Sequence, residues 1–406
     1  MSRRTNLKAV SIFSGAGGLD IGFENAGFDV VSALELHPKY CASITENQKK
    51  QLQIPGSKRF YYAGTRILNK DIREVSGLEL VAGEQEIDCL IGGPPCQAFS
   101  SAGKQLSIFD QRGTLVYEYL RVLKELHPKT FLFENVRGLV TARGLNNEPG
   151  EILLGLLAEF KKAGYSCRVG LLNAANYGSC QRRVRCFILG SRIAAAPEFP
   201  TETHAEQARE SLFPEEKREA WNTLGNFLLR HSDQDESHWT RPTPELYEKL
   251  KGLPEGSGLK SRGRVEATRP NGHWGYRQGT FIADTAKPAR TVTGSSSQDW
   301  IRLSDGSLRR LTLKEAAGLQ GFPEGWIFCG SKSDQFQQVG NAVPVVFGEV
   351  LGRTLKAHLE AGEKKDARPH AVMVPESILS AIKYTKREAA RNGAYRANSF
   401  LRKQTP

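Results

Sequence analysis

Cys96 stands in the run Gly92-Gly93-Pro94-Pro95-Cys96-Gln97, just after the apolar stretch Ile87 to Ile91. Two prolines fix the backbone ahead of it and place the thiol at the mouth of a crevice instead of in a core, where its thiolate can act as a nucleophile. Cys41, Cys89, Cys167, Cys180, Cys186 and Cys329 lack such flanks and read as small buried hydrophobes. Glu134 closes the stretch Thr130 to Phe133; alone, it also reads as a helix cap. Arg183 and Arg185 alternate on a candidate strand, so their side chains leave one face, although a solvated edge strand explains that pair by itself. Phe13-Ser14-Gly15-Ala16-Gly17-Gly18-Leu19-Asp20 is a glycine-rich turn that lets a ligand approach bare backbone. Glu35 follows about 20 residues on, where a carboxylate takes both hydroxyls of a ribose. Gly15, Gly17 and Gly18 crowd together without a full G-x-G-x-x-G count, which fits a nucleoside lacking phosphates better than a pyrophosphate.

These groups need a scaffold that gathers them at one edge. From Leu7 to about Ser191, short runs rich in Val, Ile and Phe alternate with segments of helical period. The pattern predicts an α/β fold with a doubly wound, mostly parallel sheet, whose ligands bind outside the carboxyl ends of the strands. Candidate strands are Ala9 to Phe13, Val30 to Leu34, Ile87 to Ile91, Thr130 to Phe133, Cys167 to Leu172 and Val184 to Leu189. Between them, Leu115, Tyr119, Leu123 and Leu126 keep to one helical face, as do Ile152, Leu153, Leu156, Leu157 and Phe160, with Gly164 as a stop signal. After Arg192 the texture turns to Pro, Ser, Thr and charge, the mark of a second, smaller, irregular domain over 192–308. Helical spacing returns at Leu311 to Gln320 and Val343 to Leu359, so 309–361 reads as a segment that comes back to complete the domain of 1–191. The remainder, 362–406, is a basic C-terminal extension, expected to be disordered or a short amphipathic element.

The chain has 406 residues, 39% of them hydrophobic, enough for one large domain and a smaller one. Its longest N-terminal apolar run, Ala9 to Phe13, is far too short for a signal peptide or membrane span, which predicts a cytoplasmic protein with no membrane partner. Seven cysteines without C-x-x-C spacing predict neither a metal site nor a disulfide framework. The net charge of +12 favours a polyanionic partner.

FSGAGGLDIGF at 13–23, GGPPCQAFS at 92–100, ENV at 134–136, QRRVR at 181–185, RRLTLKEAAGLQGFP at 309–323 and QVGNAVP at 338–344 closely resemble, in order, the blocks of bacterial DNA cytosine-5 methyltransferases. The resemblance implies a methyltransferase-type sheet, S-adenosylmethionine as cofactor, and a cleft for double-stranded DNA between the catalytic domain and a target recognition domain at 192–308. It implies methyl transfer to C5 of a flipped-out cytosine through a covalent cysteine adduct. The enzyme would be a monomer, either solitary or accompanied by a cognate restriction endonuclease acting on the same site.

Carried over position by position, the resemblance puts Phe13, Gly15, Gly17 and Gly18 on the methionine side of the cofactor, Glu35 on its ribose, and Asp71 and Ile72 at its adenine. Pro95, Asn341 and Val343 complete that pocket. Cys96 would be the nucleophile, Glu134 would hold the N3 and amino edge of cytosine, and Arg183 and Arg185 would flank the base, Arg185 toward O2. Ser100, Lys104 and Gln105 fall on the loop that closes over DNA in the family, and Arg277, Gln278, Ser296 and Gln298 on its two recognition loops. A transfer-RNA methyltransferase of the same architecture would carry Cys-Phe-Thr, which is absent here. An amino-group methyltransferase would carry Asp or Asn before Pro-Pro, and a silent DNA-binding relative would have lost Cys96 or Glu134. A glycine turn with a downstream acid also fits a nicotinamide dehydrogenase, but that alternative survives only if the turn is read in isolation.

Overall fold

The computed structural model describes residues 6–402 apart from 82, 85, 96–114, 145, 212–216, 262–279 and 363–370, with the side chains of 261, 389, 390 and 392–402 also left aside. The chain opens with β1 (Leu7–Ile12), α1 (Gly18–Asn25), β2 (Phe28–Glu35), α2 (Pro38–Lys50), β3 (Arg66–Asn69) and α3 (Gly77–Leu80). It continues through β4 (Cys89–Gly92), α4 (Leu115–Leu126), β5 (Thr130–Val136), α5 (Glu151–Lys162), β6 (Ser166–Asn173) and β7 (Val184–Ser191). The inner strands are buried on both faces, as in β1, where Ala9, Val10 and Ile12 are fully covered. Such strands read as continuous apolar runs, which is why the sequence located them.

The second region holds β8 (His204–Ala205) with β9 (Glu219–Ala220), then α6 (Leu224–His231), α7 (Pro244–Leu250), β10 (Ser257–Gly258), β11 (Phe281–Ile282), β12 (Trp300–Arg302) and β13 (Leu308–Arg310). The last four strands form a small sheet, and Trp300 pairs with Arg310, so this sheet runs two residues past the expected boundary at 308. α8 (Leu313–Gln320), α9 (Lys332–Asn341) and α10 (Val345–Ala361) follow. A buried ion pair, Arg309 Nη2 to Glu315 Oε1 at 2.6 Å, ties β13 to α8. α10 lies on α1 through glycines: a Cβ on Gly22 would sit 2.4 Å from the Val345 carbonyl, and one on Gly348 2.5 Å from that of Leu19.

The extension folds as β14 (Val372–Met373) and α11 (Glu376–Arg402), more structure than the sequence suggested. Among the described residues of α11, Ile378, Ala381 and Ile382 pack on the core, a short apolar pattern that gives no clear period. The strand β3 was also unforeseen: Arg66-Ile67-Leu68-Asn69 is a sheet edge with exposed ends. The main sheet has the order β14-β6-β7-β5-β4-β1-β2-β3. All its pairings are parallel except those of β7 with β5 and β6. The connections run outward from β1 in opposite directions, which opens a crevice at the carboxyl ends of β1 and β4. Among the described residues no helix is long and apolar enough to cross a membrane.

Beneath the crevice, α1 buries two carboxyls. Burial pushes Glu24 up to about 8, against the Tyr62 backbone N–H that donates to it at 2.9 Å. Asp20 is raised to about 6, also by burial, although Ser11 and Tyr62 donate hydroxyl hydrogens to it. A carboxyl raised on folding supplies stability that is complete below its unfolded pKa and is lost as pH rises through the folded one. The melting temperature should therefore fall between pH 5 and pH 8.5 (roughly this window from the raised values). Glu24→Gln, neutral at every pH, should flatten most of that fall, as calorimetry of the two proteins would measure. At about 1.4 kcal/mol for each pKa unit, the span is of the order of a few kcal/mol.

Candidate active site

A cavity of about 700 Å³ opens at this crevice, within the range of small-molecule sites. One wall is the turn after β1. Phe13 lines it with φ 58°, a left-handed conformation that costs a non-glycine residue about 1–2 kcal/mol and is kept where surrounding structure fixes it. Gly15 also lines the cavity, and its backbone N–H donates to Glu35 Oε2 at 2.9 Å. The other oxygen of Glu35 accepts from the His37 N–H at 2.8 Å. Held from two sides, the carboxylate keeps lone pairs to accept from a vicinal diol.

Gly17 and Gly18 differ from Gly15. A Cβ on Gly17, at φ 90°, would run into Tyr62 Oη at 2.0 Å, so this glycine turns toward the protein and does not line the cavity. Gly18 lines it, and the Val343 carbonyl comes within 2.3 Å of where a Cβ on this residue would stand. Val343 and Asn341, just past and at the end of α9, form the neighbouring wall.

The far end holds Asp71 and Ile72. Asp71 caps a short 3-10 turn and accepts from Arg73 Nε at 3.0 Å; that hydrogen bonding holds its carboxyl below the usual range. Among the lining residues that the sequence reading did not assign to the site are Leu36, 54% exposed, Tyr40 and Asp20. Leu36 follows Glu35 directly at a strand end, a position that could have flagged it as an apolar platform. Tyr40 shares the cavity wall with Asn341, 301 positions away, a proximity that no local pattern discloses.

Glu134, Arg183 and Arg185 line the other end, together with Pro95. Glu134 lies on β5 one residue past the strand's last pairing with β4, and burial raises its carboxyl while Arg185 and Arg183 oppose the rise. Arg185 Nε approaches its Oε1 to 3.1 Å. Arg183 is 1% exposed and spans three segments, donating to the carbonyls of Val292 and Gly340 at 2.7 Å and of Ala342 at 3.0 Å. Its Nε has no protein partner among the described residues. Burial pushes its pKa down, yet a guanidinium remains charged at neutral pH. Asn135 Nδ2 donates to the Pro94 carbonyl at 3.1 Å, which fastens the proline pair to the strand that carries Glu134.

Gly93 sits against that carboxylate: a Cβ there would lie 2.5 Å from Glu134 Oε2. Gly93→Ala should therefore displace the carboxylate and lower kcat by about 10- to 100-fold, the scale of a misplacement near 1 Å. The melting temperature should change little. Steady-state kinetics with a parallel melting curve checks this, and unchanged kcat would show that the carboxylate's position is immaterial.

Cys96, Ser100, Lys104, Gln105, Arg277 and Gln278 lie outside the described residues. Ser296 is exposed on the bend between Thr293 and Asp299, as a contact residue requires. Gln298 is not: it is 1% exposed and its Nε2 donates to the Thr293 and Ser295 carbonyls. The expectation that it reads a base edge gives way to one in which it shapes the bend that presents Ser296. The bend rests on α9, where Gly340 lets the Thr293 carbonyl carbon come within 2.0 Å of a Cβ position.

The C-5 cytosine-specific DNA methylase family model matches residues 7–357. The chain belongs to that family. It is 33% identical over 371 residues to the Type II methyltransferase M.FnuDI of Fusobacterium nucleatum, covering 88% of this chain and 96% of that protein. The Type II methyltransferase M.NgoPII of Neisseria gonorrhoeae is 30% identical over 358 residues, with 87% and 96% covered. Among solved structures, the S. pombe Dnmt2 methyltransferase superposes with a TM-score of 0.59 at 18% identity, over 87% of this chain and 99% of that one. The Entamoeba histolytica methyltransferase EhMeth gives 0.58 at 15% identity, over 88% and 99%. At these identities the likeness speaks for the shared methyltransferase fold.

Proposed function

We propose that this DNA cytosine-5 methyltransferase uses S-adenosylmethionine and works through a covalent adduct between Cys96 and a cytosine flipped out of duplex DNA. The observation that carries the reading is the cavity that joins a fixed diol acceptor, Glu35, to a buried carboxyl with two arginines, Glu134, Arg183 and Arg185. Bound S-adenosylmethionine would supply an electrophilic methyl group on a sulfonium. Glu35 would hold its ribose hydroxyls, and Phe13, Gly15, Gly18, Asn341, Val343, Asp71, Ile72 and Pro95 would enclose it. Gly17 acts by shaping the turn.

Cytosine C5 is a poor nucleophile, so the Cys96 thiolate first adds at C6 and turns the ring into an enamine. Glu134, whose carboxyl burial raises above the ordinary range, would share a proton with N3 and so stabilise the electron density that the thiolate pushes into the ring. Arg185, already seated against Glu134, meets O2. C5 would take the methyl group as the sulfonium S–CH3 bond breaks and leaves the neutral thioether S-adenosylhomocysteine; loss of the C5 proton to a base would then restore the double bond between C5 and C6 as the Cys96 thiolate is expelled. A stacked base exposes neither atom to this chemistry, so flipping at a cost of about a few kcal/mol precedes it. Ser296 lies on the surface that reads the site, and Ser100, Lys104, Gln105, Arg277 and Gln278 remain contacts expected from sequence. Relatives named as Type II methyltransferases support a role beside a restriction endonuclease of the same specificity.

The test incubates purified protein with S-adenosylmethionine labelled in its methyl group and genomic DNA lacking cytosine methylation, then maps the labelled positions. Label in 5-methylcytosine within one short sequence is expected. Absence of label from 5-methylcytosine would overturn the proposal.

A further inference from the structure

Residues 362–406 carry ten Lys and Arg against four Asp and Glu, six of the chain's net +12 in 45 of its 406 residues. The chemistry above uses none of them. One face of α11 is packed: Ile378 is 1% exposed and Ile382 5%, and Ile382 fills the space beside Gly150, the N-cap of α5. The opposite face is exposed and presents Lys383, Tyr384, Arg387 and Arg391, at successive helical turns. Lys383 meets Glu376 at 3.3 Å, Lys386 meets Glu148 at 2.8 Å and Arg391 meets Glu388 at 3.5 Å, solvent-exposed pairs that a stronger polyanion displaces readily. Arg387 has no acidic partner among the described residues.

The topology aims this face. β14 pairs in parallel with the first residues of β6, and β6 shares the direction of β5 because both are antiparallel to β7. The chain therefore leaves β14 toward the carboxyl edge of the sheet, where the cavity opens. α11 passes the start of α5 at Ile382 and meets Glu148, just ahead of α5, at Lys386. The helix then continues to Arg402, about 24 Å farther at 1.5 Å per residue. At the same edge, Arg137 is exposed directly after Val136 of the cavity wall.

We infer that the exposed basic face of α11 is an accessory arm that grips the sugar-phosphate backbone of duplex DNA beside the cleft. This rests on the reading that the protein acts on duplex DNA. A rigid helix of about 24 Å runs along roughly seven base pairs of B-form duplex, and its contacts are to phosphates and so independent of sequence. The arm raises affinity and leaves the transfer step alone.

The test compares the full-length protein with Arg387→Gln/Arg391→Gln and with Arg387→Lys/Arg391→Lys. Fluorescence anisotropy with a 40-bp random-sequence duplex is run across a salt series, beside labelled methyl transfer to genomic DNA. Each phosphate contact contributes about 0.9 to the slope of log affinity against log salt. The Gln variant should lose about 1.8 from that slope and about tenfold or more in affinity at low salt, with kcat at saturating DNA and melting temperature unchanged. The Lys variant should retain the slope. An unchanged slope in the Gln variant would overturn the arm, and so would loss of its binding to phosphatidylserine vesicles with the DNA slope intact, which would assign the face to a lipid surface. Wild-type protein that binds the duplex with the predicted slope difference yet transfers no methyl group would sink the proposed function and leave the arm standing. Wild-type protein that binds no duplex sinks both.

Discussion

Cys96→Ala should abolish methyl transfer, by about 10⁴-fold or more, while duplex binding persists. The size of the effect follows from the substrate. Without addition at C6 the ring offers no enamine, and neither Glu134 nor Arg185 can make C5 attack an electrophile, since both only stabilise charge that the thiolate introduces. Loss of one member of a catalytic unit costs nearly as much as loss of the whole. The residues proposed to contact DNA, Ser296 and the exposed face of α11, are not altered by the substitution. Labelled methyl incorporation and anisotropy on the same preparation measure both quantities. Normal methylation by this variant would mean that the nucleophile has been misassigned.

The second large effect belongs to Glu134, and it has a sign in pH. Burial holds its carboxyl above the ordinary range even with Arg185 at 3.1 Å, so the protonated form extends toward neutral pH. If that proton is donated to N3, kcat falls as pH rises through the raised value. Glu134→Gln keeps an N–H donor but cannot transfer a proton. It should lower kcat by about 10²- to 10³-fold and remove the falling limb of the profile. A variant that kept the same limb would assign the limb to another group.

The arrangement around Glu134 shows a division of labour that a motif alone does not disclose. Arg183 and Arg185 were expected to act as a pair on the base. Arg185 is seated on Glu134, whereas Arg183 is spent largely on the carbonyls of Val292, Gly340 and Ala342. A buried guanidinium with fixed acceptors fastens the segments that carry them to the main sheet, and its buried Nε is without a hydrogen-bond partner among the described residues. Similarly, Asp71 enters the cavity already engaged by Arg73, so a ligand there shares its carboxylate.

The sheet was legible because its inner strands are covered on both sides, and continuous burial writes itself as unbroken apolar runs such as Phe131-Leu132-Phe133. β3 and β14 were not, since an edge needs no apolar run, and α2 was obscured because its buried face includes Ser43 and Asn47, which hydrogen-bond to the distant segment around Ile327 and Gln338. For the same reason Tyr40 and Asp20 escaped: their partners are far away in sequence, or their burial is set by tertiary packing.

By itself, the sequence nominated the candidate reacting groups by type and local setting: a thiol at Cys96 behind two prolines, a carboxyl at Glu134 and a glycine turn ahead of Glu35. Covalent identity and short-range backbone rules suffice for these. Only the tertiary structure decided which atoms remain available. It committed both oxygens of Glu35 to backbone N–H groups, turned Gly17 away from the cavity, buried Gln298, drew Arg185 onto Glu134, and stood the basic extension at the open edge of the sheet. Hydrogen-bond partners and burial depend on residues that the chain brings together from hundreds of positions apart, and no local period records them.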